Sequence, residues 1–197
     1  GNGNMDQKKK LRLVLLLSWA TYMVAYLCRV NISTALDKLS VGLTVSTEYL
    51  GIASSIYFVT YAVGQLVNGA IGDRVNPHRF LMLALTMTGT INVVLALQRS
   101  GPVFLLLWGL NGFCQSMFWS TLLRLLAACS LPEQRKNITT IMSTCSVTGY
   151  LLSWVVLSNL FQACTFMPYF LVPGVIALLL ILAWYMMSCK MPFEAEI

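Results

Sequence analysis

Residues 19–31 read Trp19-Ala-Thr-Tyr-Met-Val-Ala-Tyr-Leu-Cys-Arg-Val-Asn31, and they lie within an apolar segment that runs from about residue 13 to residue 36. That segment is long enough to cross a bilayer, because a spanning helix needs about 20 residues. An arginine near the centre of such a helix costs about 2.5–3.5 kcal/mol on insertion scales, so it normally faces protein or a water-filled cavity. Arg29 is therefore the residue in this segment that most needs an explanation.

The polar and aromatic residues of this segment recur at helical spacing. Trp19, Tyr22, Tyr26, Arg29 and Ser33 are 3, 4, 3 and 4 residues apart, which places them on one face of a helix. A cation flanked by phenols on an inward face is suited to binding an anion. The alternative is that Arg29 extends to the far surface, since a rise of about 1.5 Å per residue puts it roughly 24 Å along the span.

The composition of the whole chain is that of an integral membrane protein. Hydrophobic residues make up 57% of the 197 and charged residues 10%, with a mean hydropathy of +0.73. Long apolar runs predict helices rather than barrel strands. The net charge of +6 is scattered between spans, which does not indicate nucleic-acid binding. The six cysteines show no metal spacing and are predicted to be small core residues, and we expect no metal or cofactor site.

Six membrane spans with short connections are predicted, and they form one bundle at residues 11–188 between a tail at 1–10 and a tail at 189–197. Residues 1–4, before the first methionine, resemble a vector-derived leader. Nine Lys or Arg residues fall on one side of the bilayer and two on the other, which predicts that both termini are cytoplasmic. The spans are expected at about 11–36, 49–72, 79–98, 103–130, 137–162 and 166–188.

The second span carries another polar face and ends in a dense loop motif. Tyr57, Tyr61, Gln65 and Asn68 are spaced 4, 4 and 3 apart, and the loop reads Gly69-Ala-Ile-Gly-Asp-Arg-Val-Asn-Pro-His-Arg79. The glycines are predicted to let two helices approach closely. An aspartate beside arginines could form a latch that opens and closes; the alternative is an ordinary basic cytoplasmic loop.

This loop resembles the Gly-x-x-x-Asp-Arg-x-Gly-x-Arg-Arg motif of the major facilitator superfamily. Asn76-Pro77 in place of the motif's later glycine is similar to the organophosphate:phosphate antiporter family, as are Tyr26-Leu-Cys-Arg29-Val-Asn31 and the fourth-span segment Gly112-Phe-Cys-Gln115-Ser-Met-Phe-Trp119 with Arg124 behind it. The resemblance implies an all-α membrane fold, one major-facilitator half-bundle of six helices built as an inverted 3+3 repeat.

The same resemblance implies roles for individual residues. Arg29 matches the family's substrate-phosphate arginine. The remaining positions of the predicted substrate site are Tyr22, Tyr26, Tyr61, Gln65, Gln115, Trp119 and Ser146. Where the family has cationic or titratable groups, this chain has Val30, Gln65 and Ser146. The predicted gating motif comprises Gly69, Asp73, Arg74 and Arg79.

Two further expectations concern the fourth span. Asn111, Gln115 and Trp119 recur every four residues and are predicted to face the same side, where either substrate or contacts between helices would explain the two amides. Arg124 is predicted to lie near the cytoplasmic end in a structural or gating role.

The function implied is secondary transport of a small phosphorylated organic anion, exchanged against inorganic phosphate by alternating access in a plasma or inner membrane. It is not an enzymatic activity. The alternative is a membrane sensor for a sugar phosphate. Polar faces on several spans would meet lipid in a lone bundle, so a second six-helix bundle is expected as a partner. That bundle would be a separate carboxy-terminal half, further residues of a longer chain, or a second copy of this one.

Overall fold

The computed structural model describes residues 2–190, with side chains described from residue 6, and this part of the chain is helical without any strand. Residues 191–197, most of the predicted carboxy-terminal tail, lie outside it, as does residue 1. The predicted tail at 1–10 continues the first helix. The helices are α1 (Asn2–Thr34), α2 (Leu36–Leu43), α3 (Thr47–Gly72), α4 (Pro77–Leu97), α5 (Gly101–Gln115), α6 (Phe118–Ala128), α7 (Arg135–Leu151), α8 (Ser158–Leu160) and α9 (Met167–Lys190).

Polar residues in the connections fix where the helices begin. The Ser46 hydroxyl accepts a hydrogen bond from the backbone N–H of Tyr49 at 3.2 Å, which caps α3. The Asn76 side chain accepts from the backbone N–H groups of residues 78 and 79 at 3.0 and 3.3 Å, and Pro77 is the first residue of α4. Asparagine at the cap and proline directly after it are the residues that favour a helix start. The Asn76-Pro77 pair therefore has a structural reason of its own.

Five of the described helical segments are long and apolar enough to cross a membrane. They are Asp6–Thr34, Thr47–Gly72, Pro77–Leu97, Pro132–Leu160 and Met167–Lys190. The predicted span at 103–130 is not among them, because the chain there is divided into α5 of 15 residues and α6 of 11 residues. The fifth predicted span contains a π-helical stretch at Leu152–Leu157 that joins α7 to α8.

The break between α5 and α6 has an identifiable cause. Ser116 donates its hydroxyl proton to the backbone carbonyl of Phe113 at 2.6 Å and accepts from the Asn68 amide of α3 at 2.8 Å. The backbone N–H of Met117 donates to the carbonyl of Cys114 at 3.1 Å, three residues earlier, instead of the carbonyl four residues earlier that an α-helix would use. A serine side chain that competes for a backbone carbonyl bends a helix, and the amide from α3 holds the bend in place.

The bundle packs around two groups of buried apolar side chains. One includes Leu81, Phe118 and Trp184, and the other includes Trp108 and Phe170. The most extensive helix pairings are α4 with α9, α3 with α5, and α1 with α7. Many large apolar side chains are exposed on the outer surface of the bundle, as expected of a surface that contacts lipid. The prediction for the cysteines holds for residues 28, 114, 129 and 145, which are buried, and is wrong for residues 164 and 189, which are exposed.

Buried amides and hydroxyls connect α1, α4, α5 and α9. The Asn31 amide donates to the Asn92 side chain at 2.8 Å and to the carbonyl of Tyr169 at 3.2 Å. Thr88 donates to the Asn111 side chain at 2.6 Å, and the Asn111 amide donates to the carbonyl of Cys28 at 3.0 Å. Because hydrogen bonds satisfy polar groups that lipid cannot, this network fixes the relative positions of the helices.

Candidate anion site

Arg29 lies half-buried among tyrosines from two helices. Its guanidinium carbon is 4.7 Å from the ring centre of Tyr61 and 5.8 Å from that of Tyr57, both on α3, and 5.3 Å from the ring of Tyr26 on its own helix. Among the residues that the structure describes, no carboxylate forms an ion pair with Arg29. The ion pair seen there joins Arg124 and Asp73. A cation held by ring faces but without a counter-ion keeps its hydrogen-bond donors available for an anion.

A cavity of about 250 Å³ lies beside these rings, at the meeting point of α1, α3, α6 and α7. The ring centres of Tyr22 and Trp119 are 5.0 Å apart, and those of Tyr22 and Tyr26 are 5.2 Å apart, so aromatic contacts fix one wall. The cavity is lined by Tyr22, Tyr26, Tyr61, Trp119, Ser143 and Ser146. Five of these six are predicted site residues, and tertiary packing brings them together from four separate segments.

Three predicted site residues do not line this cavity: Arg29, which lines a smaller pocket, and two glutamines. Gln115 is 4% exposed, and its amide donates to the Thr88 hydroxyl at 3.0 Å within the buried network. Gln65 is exposed on α3 and does not line the cavity. The prediction that Gln115 and Trp119 face the same side is wrong, because the break at residues 116–117 rotates Trp119 towards Tyr22.

The other two residues of the polar and aromatic face of α1 are Trp19, which contacts a neighbouring helix, and Ser33, which lines a second pocket. The Trp19 indole donates to the Thr144 hydroxyl of α7 at 2.8 Å. Ser33 lines a smaller pocket together with Arg29, Ser54 and Tyr57. The Arg29 side chain turns towards α3 and does not extend along its own helix to the surface, so the geometry favours the inward interpretation of the sequence.

The loop motif after α3 contacts α6. Arg124 donates from Nη1 to the carbonyl of Gly72 and to the Asp73 carboxylate at 3.4 Å. A methyl group added at Gly72 would collide with the Arg124 guanidinium, whereas Gly69 has nothing within 4 Å of its added Cβ. Gly72 therefore leaves room for the Arg124 side chain, and the close approach of two helices at these glycines stays a prediction. Arg74 and Arg79 of the predicted gating motif are exposed.

Sequence reasoning missed several residues of the site. Ser143 and Tyr150 of α7 were not among the predicted positions, although the spacing of residues 143, 146 and 150 is the 3 and 4 of a helix face. Tyr57 was predicted to lie on the polar face of α3 but was not included in the site, although it stands four residues before Tyr61. These residues could have been found by the same helical spacing that identified the face of α1.

Several apolar helices of membrane length define a multi-pass membrane protein. The chain belongs to the Major Facilitator Superfamily, whose family profile matches residues 18–192. Its relatives place it with the organophosphate:phosphate antiporters of that superfamily.

Three relatives illustrate the range. The chain is 28% identical over 159 residues to a probable hexose phosphate transport protein of Chlamydia trachomatis, covering 81% of this chain and 35% of the relative. It is 31% identical over 117 residues to the membrane sensor protein UhpC of Escherichia coli, covering 59% and 27%. It is 24% identical over 178 residues to the glycerol-3-phosphate transporter of Bacillus subtilis, covering 87% and 40%. The chain thus spans about a third of the length of these relatives.

Proposed function

We propose that this chain forms the anion-binding half of a secondary transporter that exchanges a small phosphorylated organic anion against inorganic phosphate. The observation that carries the proposal is Arg29, a cation surrounded by three tyrosine rings at 4.7 to 5.8 Å beside a cavity. A planar guanidinium offers a phosphate two parallel charge-assisted hydrogen bonds. The chemistry is binding and gating, without a covalent step.

The polar groups that line the aromatic cavity are neutral. Tyr61, Ser143 and Ser146 line it with hydroxyl groups, and Val30 and Gln65 are positions at which the family resemblance implies a charged group. One arginine supplemented by hydroxyls can hold a phosphate or a carboxylate. Such a site discriminates between anions less strongly than a site with several cations, because each additional charge-assisted bond adds to the difference in affinity.

The proposed architecture is six spans in an inverted 3+3 repeat, with α5 and α6 together forming one broken span. The helix pairings support it. In the proposed repeat, the first three spans (α1, α3 and α4) correspond to the last three (α5 with α6, α7, and α9). This correspondence relates the α3–α5 pairing to the α7–α1 pairing and leaves the α4–α9 pairing unchanged. Repeats of this kind are common in secondary transporters, whose binding sites lie near the midplane.

A second six-helix bundle in the same orientation is proposed to cover the cavity. Ser143 and Tyr150 are exposed next to the site, on a surface where polar side chains facing lipid would be costly. The mass of the native particle in a nanodisc tests this part. A single bundle that binds phosphate stably would contradict it, and a mass of two bundles supports it.

Alternating access is proposed to involve the contact of Arg124 with Gly72 and Asp73. In the proposed orientation, with both termini cytoplasmic, this contact lies at the cytoplasmic ends of α3 and α6, away from Arg29. An exposed ion pair is weak enough to form and break during a transport cycle.

Counterflow in proteoliposomes tests the transport function. Vesicles loaded with unlabelled phosphate are expected to accumulate labelled phosphate and glycerol 3-phosphate, and Arg29→Ala is expected to abolish this accumulation. The second candidate is a membrane sensor for a sugar phosphate, which the similarity to the sensor protein of Escherichia coli favours. A sensor would bind the same anions with little counterflow, so binding and flux measured on one preparation separate the two functions.

A further inference from the structure

A groove opens on the outer surface of the bundle at the start of α4, away from the candidate anion site. Its volume is about 390 Å³, within the range of pockets that hold small molecules. It shares no lining residue with the aromatic cavity or with the smaller pocket beside it. The groove is lined by Val75, Asn76, Arg79, Phe80 and Leu83.

The length of α4 places this groove at the edge of the membrane. The helix has 21 residues, and at about 1.5 Å per residue it is about 32 Å long, close to the hydrocarbon thickness of about 30 Å. Its first turn, which contains Arg79, therefore lies at the level of the lipid headgroups.

Arg79 stands at the end of the face that α4 turns to lipid. Leu83, Val94 and Leu97 are large apolar residues that are exposed. Residues 79, 83, 94 and 97 are 4, 11 and 3 positions apart, which are close to whole turns of a helix. The arginine thus lies directly beyond a lipid-facing row of apolar side chains, where a lipid carries its phosphate.

The Arg79 guanidinium is available to a ligand. It is the one charged side chain among the residues that line the groove, and it is exposed. In the part of the chain that the structure describes it forms no ion pair, and the carboxylate of Asp73 in the same connection is paired with Arg124. Asn76 already satisfies the backbone N–H of residue 79. The guanidinium itself, rather than the helix end, is therefore the group that could bind a phosphate through two parallel hydrogen bonds.

The apolar walls of the groove favour a lipid over a soluble anion. Phe80 is 6% exposed and forms the floor, whereas Val75 and Leu83 are 40% and 51% exposed on its sides. A free phosphate would leave these apolar side chains uncovered, but an acyl chain would cover them. Arg74, exposed in the same connection, adds a second positive charge that attracts an anionic headgroup.

We propose that this groove binds an anionic phospholipid, with the headgroup phosphate on Arg79 and an acyl chain along Phe80 and Leu83. The lipid would hold the start of α4 at a fixed depth in the membrane. The inference does not depend on the proposed transport function, because it uses neither Arg29 nor the aromatic cavity.

The test is native mass spectrometry of the native protein released from nanodiscs that contain phosphatidylglycerol and phosphatidylcholine in equal amounts. The unaltered protein is expected to retain phosphatidylglycerol in preference to phosphatidylcholine. Arg79→Gln keeps a long polar side chain without the charge and is expected to reduce this preference about fivefold, the effect of one basic residue near a membrane surface. The matched control is Arg135→Gln, which removes the same charge at an exposed position of α7 outside the groove and is expected to leave the preference within about twofold.

Two further measurements test the lipid tail and the fold. Inorganic phosphate added to the nanodiscs is expected not to displace phosphatidylglycerol, because it has no chain to cover the apolar walls. The melting temperature of Arg79→Gln in nanodiscs of phosphatidylcholine alone is expected to equal that of the unaltered protein, since the side chain is exposed.

Three results would overturn the inference. Equal losses in Arg79→Gln and Arg135→Gln would show that retention follows the overall positive charge and not the groove. An unchanged preference in Arg79→Gln, with its melting temperature preserved, would remove the headgroup from Arg79. Displacement of phosphatidylglycerol by inorganic phosphate would assign the groove to a soluble anion.

Discussion

Replacing Arg29 is the perturbation that tests the site most directly. A guanidinium that makes two charge-assisted bonds to a phosphate contributes about 1.5–3 kcal/mol for each bond, so Arg29→Ala removes about 3–6 kcal/mol of binding free energy. With a factor of ten for every 1.4 kcal/mol, the affinity for inorganic phosphate is expected to fall about a hundredfold to ten-thousandfold. Arg29→Lys keeps the charge but not the planar pair of donors, and a loss of about ten- to a hundredfold is expected.

The fold is expected to survive this change. Arg29 makes cation–π contacts with Tyr26, Tyr57 and Tyr61, each worth about 0.5–1 kcal/mol. Their loss is offset because the free protein no longer has to hold a half-buried cation without a counter-ion. Melting temperature measured on the same sample monitors this balance.

The assay is equilibrium binding of labelled inorganic phosphate to the native protein in nanodiscs. Arg12→Ala, at an exposed arginine of the same helix, is the matched control and is expected to leave the affinity within about twofold, because salt screens distant exposed charges. Unchanged phosphate affinity in Arg29→Ala, with the melting temperature preserved, would refute the assignment of Arg29 to the anion site.

Three further predictions concern the gate and the helix contacts. Asp73→Asn removes an exposed ion pair with Arg124 worth about 0–1 kcal/mol, so fluorescence pairs across the loop face are expected to report a shift of at most about fivefold between inward-open and outward-open states; a fall in phosphate affinity without such a shift would place Asp73 in the site. Gln115→Ala leaves a buried network incomplete and is expected to destabilise the protein by about 1–3 kcal/mol in thermal unfolding with phosphate affinity unchanged; a large loss of affinity at unchanged stability would make it a ligand contact. Gly112→Ala places a methyl group 2.6 Å from the Thr60 hydroxyl and is expected to lower the free energy of unfolding by about 1–3 kcal/mol. The control Gly51→Ala, with nothing within 4 Å of the added methyl group, is expected to leave the melting temperature unchanged or higher. Equal effects of the two variants would show that the helices do not approach each other at residue 112.

Much of the fold could be predicted from the chain alone. Apolar length predicted the membrane segments, since backbone groups in lipid must be satisfied within a helix. The Asn76-Pro77 pair lies where a cap and a first-turn proline start α4. The break in the predicted fourth span was not predictable in this way, because the bend at Ser116 is held by Asn68 from another helix. A hydropathy profile shows one continuous apolar run there. It contains no information about the hydrogen bond to Asn68, which is 48 residues away in sequence.

The same division holds for the site. Helical spacing alone determined that Tyr22, Tyr26 and Arg29 share one face of α1, because residues three and four apart on a helix are always neighbours. Whether that face meets a cavity, lipid or another helix depends on which helices pack beside it, and only the tertiary structure decided this. It brought Tyr61, Trp119 and Ser146 to the α1 face and directed Gln115 into a network with Thr88. Local geometry fixes neighbours along a helix, whereas neighbours between helices follow from the packing of the whole bundle.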